Sequence, residues 1–359
     1  MKVDVVVIGA GVVGLFTAYE LAGIGVSVAI VEKEARPGMG VSSRHANVIH
    51  VIQLPFGSLK SRLCVEGNRL YSRYSEELGF RLRRVKAYLV ASGPGARIKA
   101  SLAARYLRWK LPRWARVAVV PGNQVRDEEP AASDHVSWAV AVSGYGVVDA
   151  GELVSRLIRG LDERGGDLLL SAEAVSAAIS GERIVVDIST GLRVEARALV
   201  NAAGLYSDRV AAWFGDSYAV VPAKGVMTIH EKPRVGSILT HLALKPSRET
   251  KGGGIIPQLD GRTLLGPSYA EASSKEDYQY SSADVEVLAR RFAPLVSEPL
   301  SSPVEVVVGL RPTTRGRDFI IERSSRSPRI IHLVGIESPG LTAAPAIARM
   351  VAGMLEKLL

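Results

Sequence analysis

A glycine-rich turn near the start of the chain constrains the fold most. The run Gly9-Ala10-Gly11-Val12-Val13-Gly14 follows a short β-branched apolar stretch at residues 3–8 and opens a stretch of helical spacing. A second apolar run at residues 26–31 completes a β-α-β unit of about 30 residues. In that context the G-x-G-x-x-G pattern predicts a dinucleotide site, with the pyrophosphate at the N-terminus of the helix.

Each position of the turn has a physical reason. Gly9 permits the tight turn, Gly11 lets the backbone approach a pyrophosphate, and Gly14 lets the helix pack closely on the strand. Val12 and Val13 begin the helix, whose first N–H groups and positive dipole end face the phosphates. We therefore expect all five residues at the cofactor.

An acidic residue ends the second predicted strand. Glu32, followed by Lys33, stands where a carboxylate accepts hydrogen bonds from ribose hydroxyls. Because the same carboxylate would repel a 2′-phosphate, NADP is disfavoured. The turn and Glu32 do not by themselves distinguish NAD from FAD.

Composition and charge narrow the class of protein. The 359 residues include one cysteine, Cys64, which excludes a disulfide framework and a Cys-rich metal site and fits a reducing cytoplasm. We predict no metal, no signal peptide and no membrane-spanning segment, and the abundance of Arg favours a thermophilic source. The net charge of +9 favours anionic partners. A nucleic acid is not expected, because no recognised nucleic-acid module is present.

Two later runs separate FAD from NAD. Residues 200–208 (VNAAGLYSD) resemble the second flavin motif of the D-amino-acid-oxidase-like superfamily, and residues 335–342 (GIESPGLT) resemble its final flavin-binding turn. The resemblance implies non-covalent FAD. The further residues that it places at the flavin are Ser42, Ser43, His45, Ala46, Asn47, Val175, Ala202, Ala203, Gly204, Gly309, Gly335, Ser338, Gly340, Leu341 and Thr342.

Within that superfamily the chain is similar to two families, the anaerobic-type glycerol-3-phosphate dehydrogenases and the L-2-hydroxyglutarate oxidases. The similar runs are residues 42–50 (SSRHANVIH), 57–60 (GSLK), 65–68 (VEGN), 264–267 (LLGP) and 275–277 (KED), while 318–322 (DFIIE) is closer to the first family. Val51-Ile52 replaces the usual Ala-Gly, and no Cys-rich iron–sulfur domain follows. The substrate and the electron acceptor therefore stay open.

The predicted fold class is α/β. A Rossmann-like FAD-binding domain of the D-amino-acid-oxidase type comprises residues 1–80, 141–217 and 305–359, and an inserted β-rich α+β substrate domain comprises 81–140 and 218–304. Helices are predicted at 59–78, at 152–163 and at 344–358. For the second of these, Asp149 is the expected N-cap and Glu152 closes a capping box. For the third, Pro345 lies in the first turn.

Three residues are predicted to act on the substrate. His50 is our choice for the base that takes the hydroxyl proton, because imidazole titrates near neutral pH. Arg311 closes a buried-looking strand, and its planar fork suits a carboxylate or phosphate, as the resemblance also implies. Lys224 meets the flavin or the substrate anion, or is a solvated turn residue. Arg315 and Arg317 widen the anion site, and the alternative for each of the three arginines is an internal salt bridge to an Asp or Glu.

The predicted reaction is oxidation of a secondary alcohol on a small anionic substrate, by hydride transfer to flavin. Glycerol 3-phosphate is the first choice of substrate, and an L-2-hydroxy acid such as L-2-hydroxyglutarate is the second. Oxidation of an amino acid or secondary amine, and an FAD-holding subunit of an electron-transfer complex, are the remaining alternatives. The acceptor is a quinone or a redox partner protein, and an oligomer is compatible with the sequence.

One basic segment bears on location. Residues 99–116 interleave Lys and Arg with Trp109 and Trp114. Such a stretch is typical of peripheral contact with the inner face of a membrane, or of a solvated linker or partner interface.

Overall fold

Two β-sheets hold the strands of the chain. The computed structural model describes residues 1–242 and 252–359. Its helices are α1 Val12–Gly23, α2 Leu59–Leu78, α3 Ala96–Lys110, α4 Gly122–Glu128, α5 Ala150–Asp162, α6 Ser207–Ala212, α7 Ser282–Phe292 and α8 Gly340–Leu355. Its strands are β1 Lys2–Ile8, β2 Val28–Val31, β3 Val48–Ile49, β4 Leu82–Ala91, β5 Val117–Pro121, β6 Trp138–Val148, β7 Asp167–Leu169, β8 Ala174–Ser180, β9 Arg183–Ile188, β10 Arg193–Asn201, β11 Val220–His230, β12 Ile238–His241, β13 Gly254–Pro257, β14 Thr263–Gly266, β15 Ala270–Glu271, β16 Glu305–Thr314, β17 Ile320–Arg323 and β18 Ile330–Val334.

The first sheet has the order β17-β18-β10-β1-β2-β7, with the β8–β9 hairpin paired to β10. Strand β1 runs parallel to both β2 and β10. Because the carboxyl ends of parallel strands lie at one edge, the turn after β1 and the turn after β10 meet there. The amide of Ala202 donates to the carbonyl of Ile8 at 3.0 Å. The predicted β-α-β unit and the α/β fold class are confirmed.

The second sheet has the order β15-β11-β14-β13-β12-β4-β6-β3, with β16 paired to β11 and β5 paired to β6. The ranges predicted for the FAD-binding domain include strands of this second sheet. Residues 141–148 lie in β6 and residues 305–314 form β16, yet both ranges were assigned to the FAD-binding domain. Pairing over long sequence separations decides sheet membership, and no local pattern in these strands reveals it. We propose that both strands belong to the substrate domain.

Helices α2 and α5 lie close to the positions that their capping residues predicted. Helix α2 has the predicted bounds, with Ser58 accepting from the amide of Ser61 and Gly79 ending the helix at a φ of 73°. Helix α5 begins after Asp149, whose side chain accepts from the amide of Glu152 at 2.8 Å. The capping box is wrong in its second half, because the Glu152 carboxylate accepts from Arg81 instead, at 2.9 Å.

Helix α8 begins earlier than predicted. Gly340 is its first residue, so Pro345 lies in the second turn, not the first. A proline there cannot donate to the carbonyl four residues earlier, that of Leu341. The buried hydroxyl of Tyr71 donates to this carbonyl at 2.6 Å and replaces the missing bond. Helices α1 and α2 both pack against α8, in a core shared with the first sheet.

Candidate active site

A cavity of about 990 Å³ is lined by residues of both sheets. Its wall combines the turn after β1, the loop 38–53, the turn after β10, the middle of β11 and the turn that opens α8. The predicted residues that line it are Gly9, Gly11, Val12, Val13, Glu32, Lys33, Ser42, His45, Ala46, Asn47, His50, Val175, Ala202, Ala203, Gly204, Gly309, Arg311, Ser338, Gly340, Leu341 and Thr342. Segments distant in sequence therefore form one site.

One end of the cavity is shaped for close backbone approach. A Cβ on Gly9, whose φ is 106°, would lie 2.6 Å from the carbonyl oxygen of Ala202. The Ser42 hydroxyl accepts from the amide of Val12 at 2.9 Å and ties the loop to the start of α1. The Glu32 carboxylate accepts from the amide of Ala10 at 2.7 Å and lines the cavity. These contacts leave room for a phosphate at the N-terminus of α1 and hold a carboxylate in the wall.

Two histidines, His45 and His50, also line the cavity. The ring of His50 contacts that of Tyr145 edge to face, with ring centres 6.1 Å apart, and its backbone amide donates to Thr342 Oγ1 at 3.0 Å. Desolvation lowers the pKa of His50 to about 4. Desolvation likewise lowers the pKa of His45 to about 4, and its Nδ1 accepts from the amide of Asn47. Both imidazoles are therefore neutral at physiological pH, the form that accepts a proton.

Arg311 is one of the cationic residues that line the cavity. Its Nη2 donates to the carbonyl of Ser268 at 3.4 Å, while its buried Nη1 has no hydrogen-bond partner among residues 1–242 and 252–359. Desolvation lowers its pKa, opposed by the charge of Glu337. Gly225 on the neighbouring strand leaves the space that Arg311 fills, since a Cβ there would lie 2.5 Å from Nη2. A buried guanidinium nitrogen without a partner favours an anionic ligand.

Four predicted site residues lie outside the cavity wall: Lys224, Gly14, Ser43 and Gly335. The ammonium of Lys224 donates to both oxygens of Asp277, at 3.1 and 3.2 Å, and to the carbonyl of Gln279. Lys224 is therefore paired within the protein, and a role at the flavin or the substrate anion stays a prediction for it. Gly14 is explained by packing, because a Cβ there would lie 2.0 Å from the carbonyl oxygen of Gly9.

The arginines after Arg311 and the cysteine also have clear positions. Arg315 and Arg317 are exposed and outside the wall, so the structure does not join them to Arg311. Cys64 is buried on α2, where its thiol lies 3.7 Å from the carbonyl oxygen of His50. In the part of the chain that the structure describes, His, Cys, Asp and Glu side chains form no group of three that could hold a metal.

Sequence reasoning missed several residues of the wall. The guanidinium of Arg44 lies 4.5 Å from the ring centre of Tyr278, and its buried Nε has no partner within the described residues. Arg44 stands between the polar residues Ser43 and His45, so the argument used for Arg311, an arginine at the end of an apolar strand, did not indicate it. Tyr145 follows Gly144 in β6 and carried no signal at all.

A buried ion pair stands beside the cavity. Lys60 Nζ lies 3.1 Å from Glu337 Oε1, and the two side chains are 4% and 2% exposed. Glu337 lines the cavity in the turn before α8. This pair links the start of α2 to that turn, and so holds the turn in place.

The comparisons with known proteins identify the family. The model of the FAD dependent oxidoreductase family matches residues 4–354. The chain belongs to this family. It is an enzyme whose cofactor is FAD, and its fold is that of the family.

Three relatives show where in the FAD dependent oxidoreductase family the chain stands. It is 28% identical to a glycerol 3-phosphate dehydrogenase of Caloramator mitchellensis, over 99% of this chain and 74% of that protein. It is 25% identical to an L-2-hydroxyglutarate dehydrogenase of Escherichia coli, over 77% of this chain and 66% of that protein. The FAD-bound, dithionite-reduced L-α-glycerophosphate oxidase of Mycoplasma pneumoniae superposes with a TM-score of 0.90 at 23% identity, covering 99% of this chain and 95% of that one.

The residues present fit FAD. The glycine turn after β1 provides close approach where an added Cβ would meet Ala202, and Gly11, the N-cap residue of α1, has no side chain that could occupy the space before the helix. The wall of this one cavity includes both Glu32 and Arg311. The first turn of α8 also lacks a side-chain cap and lines the cavity, where its N–H groups favour negative charge.

Proposed function

We propose that this enzyme oxidises the secondary alcohol of a small anionic substrate to a ketone, with glycerol 3-phosphate giving dihydroxyacetone phosphate as the first candidate. The observation that carries the proposal is Arg311, whose buried Nη1 lacks a partner in the described residues and lies in the same cavity wall as His50. When bound, FAD supplies the acceptor for the hydride. The similarity to glycerol 3-phosphate dehydrogenases supports this choice of substrate.

The chain's own residues have separate tasks in this proposal. Arg311 binds the phosphate or carboxylate and fixes the orientation of the alcohol. His50, neutral because its pKa is lowered to about 4, accepts the hydroxyl proton. Ile52, which also lines the cavity, narrows the space beside His50 where the similar families have a small residue. Bulk at this position acts on the choice of substrate, because it reduces the room near the reacting carbon.

The second candidate substrate is L-2-hydroxyglutarate. It is favoured by the similarity to L-2-hydroxyglutarate dehydrogenases, and its carboxylate suits the same guanidinium. Electrons leave the enzyme to a quinone or to a redox partner protein in either case.

The test is anaerobic bleaching of the flavin's visible absorbance in the purified holoenzyme. Glycerol 3-phosphate, L-2-hydroxyglutarate, L-lactate, L-proline and glycine are added one at a time. We expect rapid bleaching by glycerol 3-phosphate alone. Bleaching only by L-proline or glycine would replace alcohol oxidation with amine oxidation, and bleaching by none would indicate a subunit that holds FAD for electron relay.

A further inference from the structure

Helix α3 has two unlike faces. Ala96, Ala100, Ala103 and Ala104 are buried on the side that packs against β5 and β6. On the opposite side Ile98, Leu102, Tyr106 and Trp109 are 66%, 63%, 49% and 74% exposed. Their spacing of three and four residues aligns them in one stripe along the helix. An apolar stripe of this length in water is unfavourable and indicates a partner.

The loop after His50 extends the stripe. The ring of Phe56 lies 5.8 Å from that of Tyr106, which in turn lies 6.3 Å from that of Trp109, centre to centre. Leu54 in the same loop is 51% exposed. We call the exposed side chains of α3, together with loop 52–56, the α3 surface. Two residues of this loop, 52 and 53, also line the cavity, so the α3 surface begins at the wall of the active site.

The charge around the α3 surface has one sign. Residues 92–121, which include α3 and β5, contain seven cations and no Asp or Glu, in a chain whose net charge is +9; the cations are Arg97, Lys99, Arg105, Arg108, Lys110, Arg113 and Arg116. At about 100° per residue, Lys99 and Lys110 fall on one flank of the stripe, and Arg97 and Arg108 on the other. The Lys110 ammonium lies 3.6 Å from the ring centre of Trp109.

We propose that the α3 surface docks on an anionic lipid bilayer. A stripe of Ile, Leu, Tyr and Trp between two rows of cations matches the layering of a bilayer surface, with acyl chains below and negative headgroups around. The rim of a protein interface is polar without a fixed sign of charge, whereas every charge within residues 92–121 is positive, which is the pattern that an anionic lipid surface attracts. None of the described helices combines the length and the hydropathy needed to cross a bilayer, so the proposed contact is peripheral.

Docking in this way places the loop that carries Ile52 and Gln53 at the lipid. The cavity wall then faces the phase in which a lipid-soluble acceptor is dissolved. This inference does not depend on the identity of the substrate.

The test is co-sedimentation of the holoenzyme with vesicles of phosphatidylcholine, with and without phosphatidylglycerol. We expect binding only to the anionic vesicles, weakened by salt because exposed charges are screened. The double variant Leu102→Ser, Trp109→Ser should bind at least about tenfold more weakly, since it loses two apolar side chains that the proposal places in the bilayer. The matched control is Val287→Ser, Val304→Ser, two side chains that are 40% and 54% exposed elsewhere.

The charge is tested in the same assay. Lys99→Gln with Arg105→Gln should weaken binding to anionic vesicles, whereas Lys2→Gln with Arg290→Gln should not. Equal binding to neutral vesicles, or unchanged binding of the Leu102 and Trp109 variant, overturns the proposal. A dimer in sedimentation velocity that this variant dissociates, without vesicle binding, overturns it in favour of an interface between two copies. Flavin bleaching by substrate should be unchanged in all four variants, so failure here is distinct from failure of the proposed reaction.

Discussion

At the scale of single residues, Arg311 has a buried guanidinium nitrogen, Nη1, without a hydrogen-bond partner among the described residues. Replacing it by Met removes the guanidinium but keeps an extended side chain. We expect the substrate KM to rise about a hundredfold or more, because hydrogen bonds to a charged partner contribute roughly 3 kcal/mol. FAD should stay bound, and the free energy of unfolding should not fall, since an unpaired buried charge is removed. Steady-state kinetics measure KM, flavin absorbance measures bound FAD, and urea denaturation measures the free energy of unfolding.

The matched control for this change is Arg315→Met. Arg315 is four residues further along, exposed and outside the cavity wall. Its variant should keep the wild-type KM. A normal KM for Arg311→Met would exclude Arg311 from anion binding.

A second prediction at the residue scale concerns His50 and the pH dependence of kcat/KM. Its pKa is lowered from 6.5 to about 4, so the proton-accepting form is present well into the acid range. We expect the acid limb of kcat/KM to lie below the usual histidine range, and His50→Gln to reduce kcat roughly a hundredfold. His135→Gln changes an exposed histidine outside the cavity and should have no effect. An acid limb at 6.5, or a normal rate for His50→Gln, would contradict the assignment.

The same shift affects stability, and its sign follows from proton binding. Between pH 4 and 6.5 the unfolded chain binds a proton at position 50 that the folded protein does not. The free energy of unfolding should therefore fall as pH falls through that window. His50→Gln should reduce this slope.

The residues that sequence reasoning found share a property. Arg311 and His50 are polar groups beside apolar strands, and a polar group in such a place needs a ligand or a task. Arg44 has the same property in the folded chain, yet its neighbours in sequence are polar, so nothing set it apart. The role of Lys224 stays a prediction, and the structure pairs it with Asp277, a partner 53 residues away that no local pattern indicates.

At the scale of elements, the hydroxyl of Tyr71 stabilises α8. Burial raises the pKa of Tyr71, so the hydroxyl stays protonated and donates to the Leu341 carbonyl that Pro345 leaves unpaired. Tyr71→Phe should lower the free energy of unfolding by about 1–3 kcal/mol, the cost of an unsatisfied buried acceptor. Urea denaturation of the apoprotein measures this change.

The control for Tyr71→Phe is Tyr280→Phe, because Tyr280 is 50% exposed. Its hydroxyl reaches water, so its loss should be nearly neutral. Equal stability of the two variants would mean that the Tyr71 contact contributes nothing to α8.

Elements with strong local signals were predicted well. Helix α2 has an N-cap serine, an apolar face and a glycine at its end, and all three signals agree. Helix α3 was not predicted, because its buried face consists of alanines. Small alanines among many cations are also compatible with a solvated linker, so they did not indicate a packed helix. The start of α8 was misplaced because the usual position of proline is the first turn, whereas here Tyr71 supplies the missing hydrogen bond.

At the scale of the whole molecule, Gly309 lies where β16 of the second sheet packs closely on the loop that follows the first sheet. A Cβ at this position of β16 would lie 2.2 Å from the carbonyl oxygen of Arg44, in the loop that leads from the first sheet to His50. Gly309→Ala should separate β16 from that loop and widen the cavity between them. We expect weaker FAD binding, seen as a smaller rise of Tm on adding FAD.

The control is Gly316→Ala, seven residues further on, where an added Cβ has no atom within 4 Å. Its Tm and its response to FAD should match those of the wild type. A normal response in Gly309→Ala would show that the backbone relaxes without cost at this junction.

The way the cavity wall is assembled has a consequence for how the enzyme is made. Gly9, Ala202 and Gly340 border one site, although they come from the start, the middle and the last helix of the chain. During synthesis the first β-α-β unit leaves the ribosome long before α8 exists. We therefore expect the complete flavin site to form only after translation has passed Thr342. We expect a shortage of riboflavin to leave apoprotein that already contains α8, and not a partly loaded nascent chain.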